Sequence, residues 1–107
     1  MSDAVAVLDA LALEVRLRIF RYLIQVGPPG ASAGSIADHF QMHAATLSFH
    51  LNILRHAGLV TSRRESRSII YSANYSRMDG LMAYLMENCC HGEPKAIGRA
   101  RVEGHAC

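Results

Sequence analysis

The chain has 107 residues, of which half are hydrophobic and 19% are charged, the composition of one globular domain. It has no run of about 18 apolar residues, so the sequence predicts no membrane-spanning helix. The N-terminal segment carries an acidic residue where a secretion signal needs basic ones, and we therefore expect a cytoplasmic protein. A net charge of +2 does not by itself indicate nucleic-acid binding.

Helical patterns dominate the first third of the chain. Residues 4 to 12 are apolar and alanine-rich, which favours a short helix. The next segment repeats apolar residues at helical spacing, with Arg16 expected to point away from them. Proline cannot continue a helix, so the segment GPPG at 27–30 ends this second one. Its predicted inward stripe consists of Leu13, Leu17, Phe20 and Ile24.

Two short helices with a tight connection at 41–43 follow. We expect Ser32 to cap the first and Gly58 to end the second. Two short helices joined by about three residues predict a helix-turn-helix. Their predicted inward residues are Ile36, Ala37 and Phe40 in the first helix and Leu47, Leu51 and Leu54 in the second.

The pattern changes after Gly58. The segment LVTSRRESRSIIYSAN is rich in β-branched residues around a polar centre, and it predicts a two-stranded β-hairpin. Helical spacing returns at 76–90, and Gly92 with Pro94 would close this last helix. Its predicted inward stripe is Met78, Leu81, Met82, Leu85 and Cys89. We predict one domain at 1–92 and a flexible, cysteine-bearing C-terminal tail at 93–107.

Basic residues cluster in and just before the hairpin, with Glu65 as the one acid among them. Such a run is most often a solvated face. A helix-turn-helix followed directly by a basic hairpin is, however, typical of a winged helix, in which the second helix enters the major groove and the hairpin neutralises phosphates. The sequence therefore predicts double-stranded DNA as a partner. The clustered residues are Arg55, Arg63, Arg64 and Arg67.

Residues 8 to 90 resemble the ArsR/SmtB family of metal-responsive repressors, through the segments LALEVRLRIFRYL, SIADHFQMHAATLSFHLNILRHAGLV and RRESRSIIYS. The most specific match is a pattern formed by Ser48, His50, Leu51, Leu54, Gly58, Leu59 and Val60. The resemblance implies a mainly α (α+β) winged helix-turn-helix with about five helices and a two-stranded β-hairpin wing. It also implies a homodimer, built through the first and last helices, that leaves its operator when an inducing ion binds.

Carried over by position, the resemblance places DNA-binding residues on the reading helix and the wing. His50 has an equally good interpretation inside the fold. Phe49 either contacts thymine methyl groups or packs within the protein, and the two alanines either contact such methyl groups or read nothing. Ser66 stands where the family usually has a wing-tip glycine, so the resemblance does not determine the turn type at the wing tip. The full set is Ala44, Ala45, Thr46, Ser48, Phe49, His50, Asn52, Arg64 and Arg67.

The chain's three cysteines, Cys89, Cys90 and Cys107, are the candidate inducer ligands. On the last helix, Cys89 alone would be a small hydrophobic residue. Packing does not explain Cys90, which is turned by about 100° from it, or Cys107 in a polar tail. Successive helical residues do not face each other, so we expect Cys89 and Cys90 to hold one ion only where the helix is unwound.

Three thiolates suit trivalent arsenic, As(III), or antimony, Sb(III). Two other metal sites of the family are missing here: Ser32 and Gly34 fall near the positions of its Cys-x-Cys pair, and Leu81 replaces the histidine of its zinc motif. Zinc or cadmium, with a fourth ligand from His91 or His105, is one alternative. A thiol redox switch is another. No catalytic signature or phosphate-binding loop is recognisable, so we expect no enzyme.

Overall fold

The computed structural model describes residues 2–92, which form six helices and a small sheet. The helices are α1 (Ser2–Leu11), α2 (Glu14–Val26), α3 (Ala33–Phe40), α4 (Ala44–His56), α5 (Tyr75–Leu85) and the one-turn α6 (Cys89–Gly92). The strands are β1 (Ala31–Ser32), β2 (Val60–Glu65) and β3 (Ser68–Ala73). This is the predicted winged helix-turn-helix. In this part of the chain, no helix is long and apolar enough to cross a bilayer.

The core fixes the inner face of α4. Leu47, Leu51 and Leu54 are all buried there, as their spacing predicted, and Ile36 of α3 packs in the same cluster. Burying a leucine or isoleucine side chain contributes about 1.5–3 kcal/mol. With its inner face held by three leucines, α4 turns the opposite face to solvent.

The predicted caps of the helix-turn-helix are present. The hydroxyl of Ser32 accepts a hydrogen bond from the backbone N–H of Ser35 at 3.1 Å, which caps α3. At the end of α4, Gly58 has φ +81°, and the N–H of Leu59 donates to the carbonyl of Leu54 at 3.0 Å. This left-handed position is one that glycine adopts without steric cost.

The predicted inner face of α2 is confirmed at Phe20, which is buried, and at Ile24, which is half-buried against the core, but it is wrong at Leu13 and Leu17. Ile19, Phe20 and Leu23 are buried, whereas Leu13 and Leu17 are 46% and 41% exposed. The pattern misled because an arginine, Arg16, was expected to face solvent but lies half-buried beneath the end of α1.

The sheet has three antiparallel strands in the order β1-β3-β2. The predicted hairpin is confirmed: β2 pairs with β3 from Val60↔Ala73 to Glu65↔Ser68. Its tip contains Ser66 at φ +59°, the left-handed conformation that glycine would adopt more easily. The short β1 was not predicted, because two residues carry no alternating pattern.

The GPPG turn is fastened to the base of the hairpin. Arg63 donates from Nη2 to the carbonyl of Pro29 at 2.7 Å and from Nη1 to the hydroxyl of Ser72 at 3.3 Å. The Ser72 hydroxyl in turn donates to the carbonyl of Pro28 at 3.2 Å. Arg63 therefore stabilises the junction of α2, β1 and the wing.

The last predicted helix is shorter than expected. α5 ends at Leu85, Asn88 has φ +61°, and Cys89 starts the separate α6, so a continuous helix over 76–90 is wrong. Of the predicted stripe, Leu81 is buried, whereas Met82 and Leu85 are 43% and 55% exposed. Asparagine tolerates the left-handed conformation that interrupts the helix. The predicted tail at 93–107, with Cys107, lies outside the described residues.

Gly30, the last residue of the GPPG turn at 27–30, provides a test of how that turn packs against the hairpin. It has φ +76°, and a Cβ atom there would lie 2.5 Å from both the Tyr71 carbonyl oxygen and the Ser72 hydroxyl. We expect Gly30→Ala to lower the free energy of unfolding by about 2–4 kcal/mol, measured by urea denaturation. The matched Gly34→Ala change, in a helix with Ser32 Oγ 4.0 Å away, should stabilise by about 0.5–1 kcal/mol. Equal effects of the two changes would contradict this account.

Candidate functional site

The outer face of α4 is presented to solvent. Phe49 is 60% exposed, which is unusual for a phenylalanine that belongs to a helix of the core. The helix begins after His43, which is extended and makes no side-chain cap, so the first backbone N–H groups of α4 have no capping side chain. The other predicted reading residues are also exposed: Ala44, Ala45, Thr46, Ser48 and Asn52.

His50 is the exception among the predicted DNA contacts. Its side chain is only 8% exposed, and its Nδ1 lies 3.5 Å from Nη1 of Arg16. This placement favours the alternative role inside the fold over the expected DNA contact. Sequence reasoning missed Arg16 because no pattern marks an arginine as an internal donor.

Arg16 joins α1, α2 and α4. Its Nε donates to the carbonyl of Ala10, in the last turn of α1, at 2.7 Å, while Nη1 faces His50. An arginine is always charged and only donates, so Nδ1 of His50 must accept and the ring is neutral in this arrangement. Burial and, secondarily, the positive charge of Arg16 lower the pKa of His50 below its ordinary value of 6.5.

The two predicted wing arginines stand clear of the fold. Arg64 and Arg67 are exposed, and neither forms an ion pair with another described residue. The one acid of the wing, Glu65, is bound by Arg63 at 2.7 Å. The internal pairing leaves the positive charge of Arg64 and Arg67 available at the surface.

The reading helix is joined to α5 by two side chains that were not predicted. Nε of Arg77 donates to the carbonyl of Ala57 at 3.0 Å, and Nδ2 of Asn74 donates to the carbonyl of Gly58 at 2.9 Å. Both bonds satisfy carbonyl groups at the C-terminal end of α4, where helices leave such groups without partners. An asparagine just before a helical pattern is an N-cap signal that could have identified Asn74; nothing in the sequence marks Arg77.

The structure brings two of the three predicted inducer ligands together. Sγ of Cys89 and Sγ of Cys90 lie 3.0 Å apart, both residues are half-buried, and Cys90 takes part in a disulfide bond. Cys90 has φ +57°, so the backbone is not regular α-helix at this point. Among the side chains described at residues 3–90, no group of three or more histidine, cysteine or acidic residues is placed to hold a metal ion. Cys107, the third predicted ligand, lies outside the described residues.

Apolar side chains are exposed on α1 and α5. On α1, Val5 and Leu8 are 57% and 45% exposed. On α5 and just after it, Met82, Tyr84, Leu85 and Met86 are exposed as well. A groove of about 300 Å³ runs between the two helices, with Val7 and Leu81 in its lining. Exposed apolar rows of this kind mark interaction surfaces.

A helix-turn-helix that exposes the outer face of its second helix beside a wing with two unpaired arginines defines a DNA-binding regulator. Residues 11–63 match a family described as a helix-turn-helix domain. The chain is 33% identical over 89 residues to the HTH-type transcriptional regulator YgaV of Escherichia coli, which covers 83% of this chain and 88% of that protein. It is 32% identical over 98 residues to the arsenical resistance operon repressor of Bacillus subtilis, covering 92% and 84%.

The fold is shared with solved structures. One is the homodimeric winged helix-turn-helix domain Mb0332 of Mycobacterium bovis, a possible ArsR-family regulator, with a TM-score of 0.66 and 27% identity over 83% of this chain and 82% of that one. The protein described here belongs to the ArsR family of winged helix-turn-helix transcriptional regulators. The relatives are transcriptional regulators and not enzymes.

The buried His50 makes stability depend on pH. Its folded-state pKa is lowered, so the unfolded chain binds the proton more readily, and stability is lost as pH falls below about 6.5. Between pH 7.5 and 5.5, we expect this group to remove at most about 1.4 kcal/mol of the free energy of unfolding. His50→Gln, which keeps an acceptor for Arg16, should lose less over the same interval in urea denaturation at fixed protein concentration.

A matched His56→Gln variant makes the same change at an exposed position of α4 and should follow the wild-type curve. If His50→Gln and the wild type lose the same stability between the two pH values, the buried neutral ring is not the cause.

Proposed function

We propose that this protein is a homodimeric transcriptional repressor that releases its operator when, in the reduced protein, trivalent arsenic binds the thiolates of Cys89, Cys90 and Cys107. The observation that carries the inducer proposal is the 3.0 Å separation of the Cys89 and Cys90 sulfurs, at a joint where α5 has already ended. The 32% identity to the arsenical resistance operon repressor of Bacillus subtilis supports the same choice.

The donor set fits arsenic. Sulfur is the ligand type that soft ions select, and one ion can be shared only by sulfurs that lie close together. Arsenite is a neutral trihydroxide, and each As–S bond that forms replaces one As–OH bond. The thiol proton leaves with the hydroxide as water, so three thiols and one arsenite give one arsenic trithiolate and three waters.

The alternative inducers are compared with arsenic by the number of ligands they need and by the number of protons that their binding releases. Antimonite shares the three-thiol chemistry. Zinc and cadmium prefer four ligands and displace thiol protons into the buffer, and the side chains described at residues 3–90 supply no third ligand beside the two sulfurs. A thiol redox switch would use the same close sulfurs without any metal. Calorimetry in buffers of different ionisation enthalpy separates proton-releasing metal binding from arsenite binding.

The exposed apolar rows on α1 and α5 support the proposed homodimer. Val5 and Leu8 on one helix and Leu85 and Met86 on the other leave apolar area in water within a single chain. A second copy that places the same rows against them removes this area from water in both protomers, as expected for a two-fold interface. The M. bovis winged helix with a TM-score of 0.66 is described as homodimeric.

The proposed signal passes from the cysteines to DNA through α5. Its C-terminal end leads to Cys89, and its N-terminal end holds the end of α4 through Asn74 and Arg77. Capture of an ion at one end would move α5 at the dimer interface and so change the spacing of the two reading helices. A dimer must present them about 34 Å apart, one turn of DNA. A typical coupling of about 1–3 kcal/mol lowers affinity about 5- to 150-fold.

In the proposed DNA complex, the exposed face of α4 enters the major groove and the wing follows the backbone. Ala44, Ala45, Thr46, Ser48, Phe49 and Asn52 are the proposed contacts on the helix, and Arg64 and Arg67 are those on the wing. We leave His50 out because it is buried.

The cysteine variants test the inducer site. We expect arsenite to lower the affinity of the reduced wild type for a duplex, selected from a random pool with the full chain, by about 5- to 150-fold. Cys89→Ser and Cys90→Ser should each stay bound to the duplex, because both remove one of the adjacent sulfurs. Cys107→Ser should lose the arsenite response but keep a response to phenylarsine oxide, which needs two thiols. Fluorescence anisotropy measures all four proteins.

The same titrations include antimonite, zinc, cadmium and hydrogen peroxide. Stoichiometric arsenite binding and duplex release by the Cys89→Ser, Cys90→Ser double variant would refute the site. Release by peroxide alone would favour the redox switch, and release by cadmium with protons given up to the buffer would favour the divalent site. A fall in reporter transcription on arsenite addition would contradict repression.

The wing arginines are tested by salt dependence. Each phosphate contact contributes about 0.9 to the slope of log affinity against log salt. Loss of Arg64 and Arg67 in an Arg64→Ala, Arg67→Ala variant should reduce the slope by about 2 for each bound protomer. The matched Arg18→Ala, Arg21→Ala variant removes the same charge from α2, outside the helix-turn-helix and the wing, and should change the slope much less. Equal changes would mean that overall charge, rather than the wing, sets the dependence.

A further inference from the structure

We propose that α4 reads A·T base pairs through the methyl groups of thymine, so that the operator half-site has an A·T-rich centre. This inference rests on the proposed insertion of α4 into the major groove and names what the helix recognises there. The structural basis is an exposed reading face that carries no charge and presents alanine and phenylalanine side chains to the groove.

The exposed face of α4 has no charged side chain in its first three turns. Arginine and lysine read guanine, and aspartate and glutamate read cytosine, through hydrogen bonds to the base edges. On this helix the first charged residue is Arg55, in the last turn, and its Nη2 donates to Oδ1 of Asn52 at 3.4 Å. The part of α4 that enters the groove therefore lacks the charged side chains that read guanine and cytosine.

Three exposed side chains of α4 share one face, because residues three or four positions apart are neighbours on a helix. They are Ala45, Phe49 and Asn52. Alanine and phenylalanine make apolar contacts with the thymine methyl group, and asparagine can pair with adenine through N6 and N7. All three preferences favour A·T pairs, and none favours G·C.

Phe49 is held outward by the fold. Its ring meets the ring of His50 edge to face, with centroids 5.4 Å apart and an interplanar angle of 67°. His50 is buried against Arg16, so one edge of the phenylalanine is supported while 60% of its surface stays in water. An apolar ring supported from beneath and exposed above is complementary to a methyl group that projects into the major groove.

Deoxyuridine provides the test, because it pairs like thymine and lacks only the methyl group. Half-sites are first selected from a random duplex pool with the full chain, and each thymine is then replaced in turn. Removing a buried methyl contact should lower affinity about fourfold at each contacted thymine. At the thymine that Phe49 contacts, the Phe49→Ala variant should bind the two duplexes equally.

Val26→Ala serves as the control variant, because Val26 is an exposed apolar residue at the end of α2 and outside the reading helix. It should keep the wild-type sensitivity to deoxyuridine, and circular dichroism should show that both variants remain folded. Selected half-sites with G·C pairs at their centre, or equal affinity for thymine and deoxyuridine duplexes, would overturn the inference. Binding that stays salt-dependent in that case would leave the DNA interface intact, whereas loss of all duplex binding would refute the interface itself.

Discussion

One half-buried arginine determines how three helices of this domain meet. Arg16 on α2 donates to the last turn of α1 at Ala10 and faces His50 of α4. A guanidinium is planar and always charged, so its donors fix the direction of both partners. The same side chain therefore positions α1, which carries an exposed apolar row, and α4, which exposes the reading face. A shift of α1 relative to α2 would change the position of α4.

Patterns of apolar residues predicted the parts of the fold in which burial decides the structure. The leucines of α4 are of this kind; the hairpin followed from its β-branched residues, and Gly58 marked a backbone conformation that favours glycine. The patterns failed where a polar group is internal, as with Arg16, and where an element is as short as β1. They also failed on α5, because Met82 and Leu85 repeat like core residues although they are exposed. A sequence does not distinguish apolar residues that pack within one chain from those left for another.

The residues of the candidate site also fall into a group that could be predicted and a group that could not. The exposed residues of α4 and the two wing arginines were placed by the resemblance to the ArsR/SmtB family, which carries over by position because these residues lie on regular elements. The sequence predicted only that Cys89 and Cys90 could come together if the helix were unwound there. The structure has such an irregular backbone, because Cys90 takes φ +57° and the two sulfurs lie 3.0 Å apart. The bonds from Asn74 and Arg77 to the end of α4 depend on how two elements meet in space, which no local pattern encodes.

The wing has a second consequence, which concerns solubility. In the strand order β1-β3-β2, β2 lies at the edge of the sheet and leaves one row of backbone groups without a neighbouring strand. Such edges invite strands from other molecules, and charged side chains are a common protection against this pairing. Arg63, Arg64 and Glu65 lie in succession on that strand and are exposed. These charged side chains oppose the pairing of β2 with the edge strand of another copy, and so protect molecules that are not bound to DNA from aggregation.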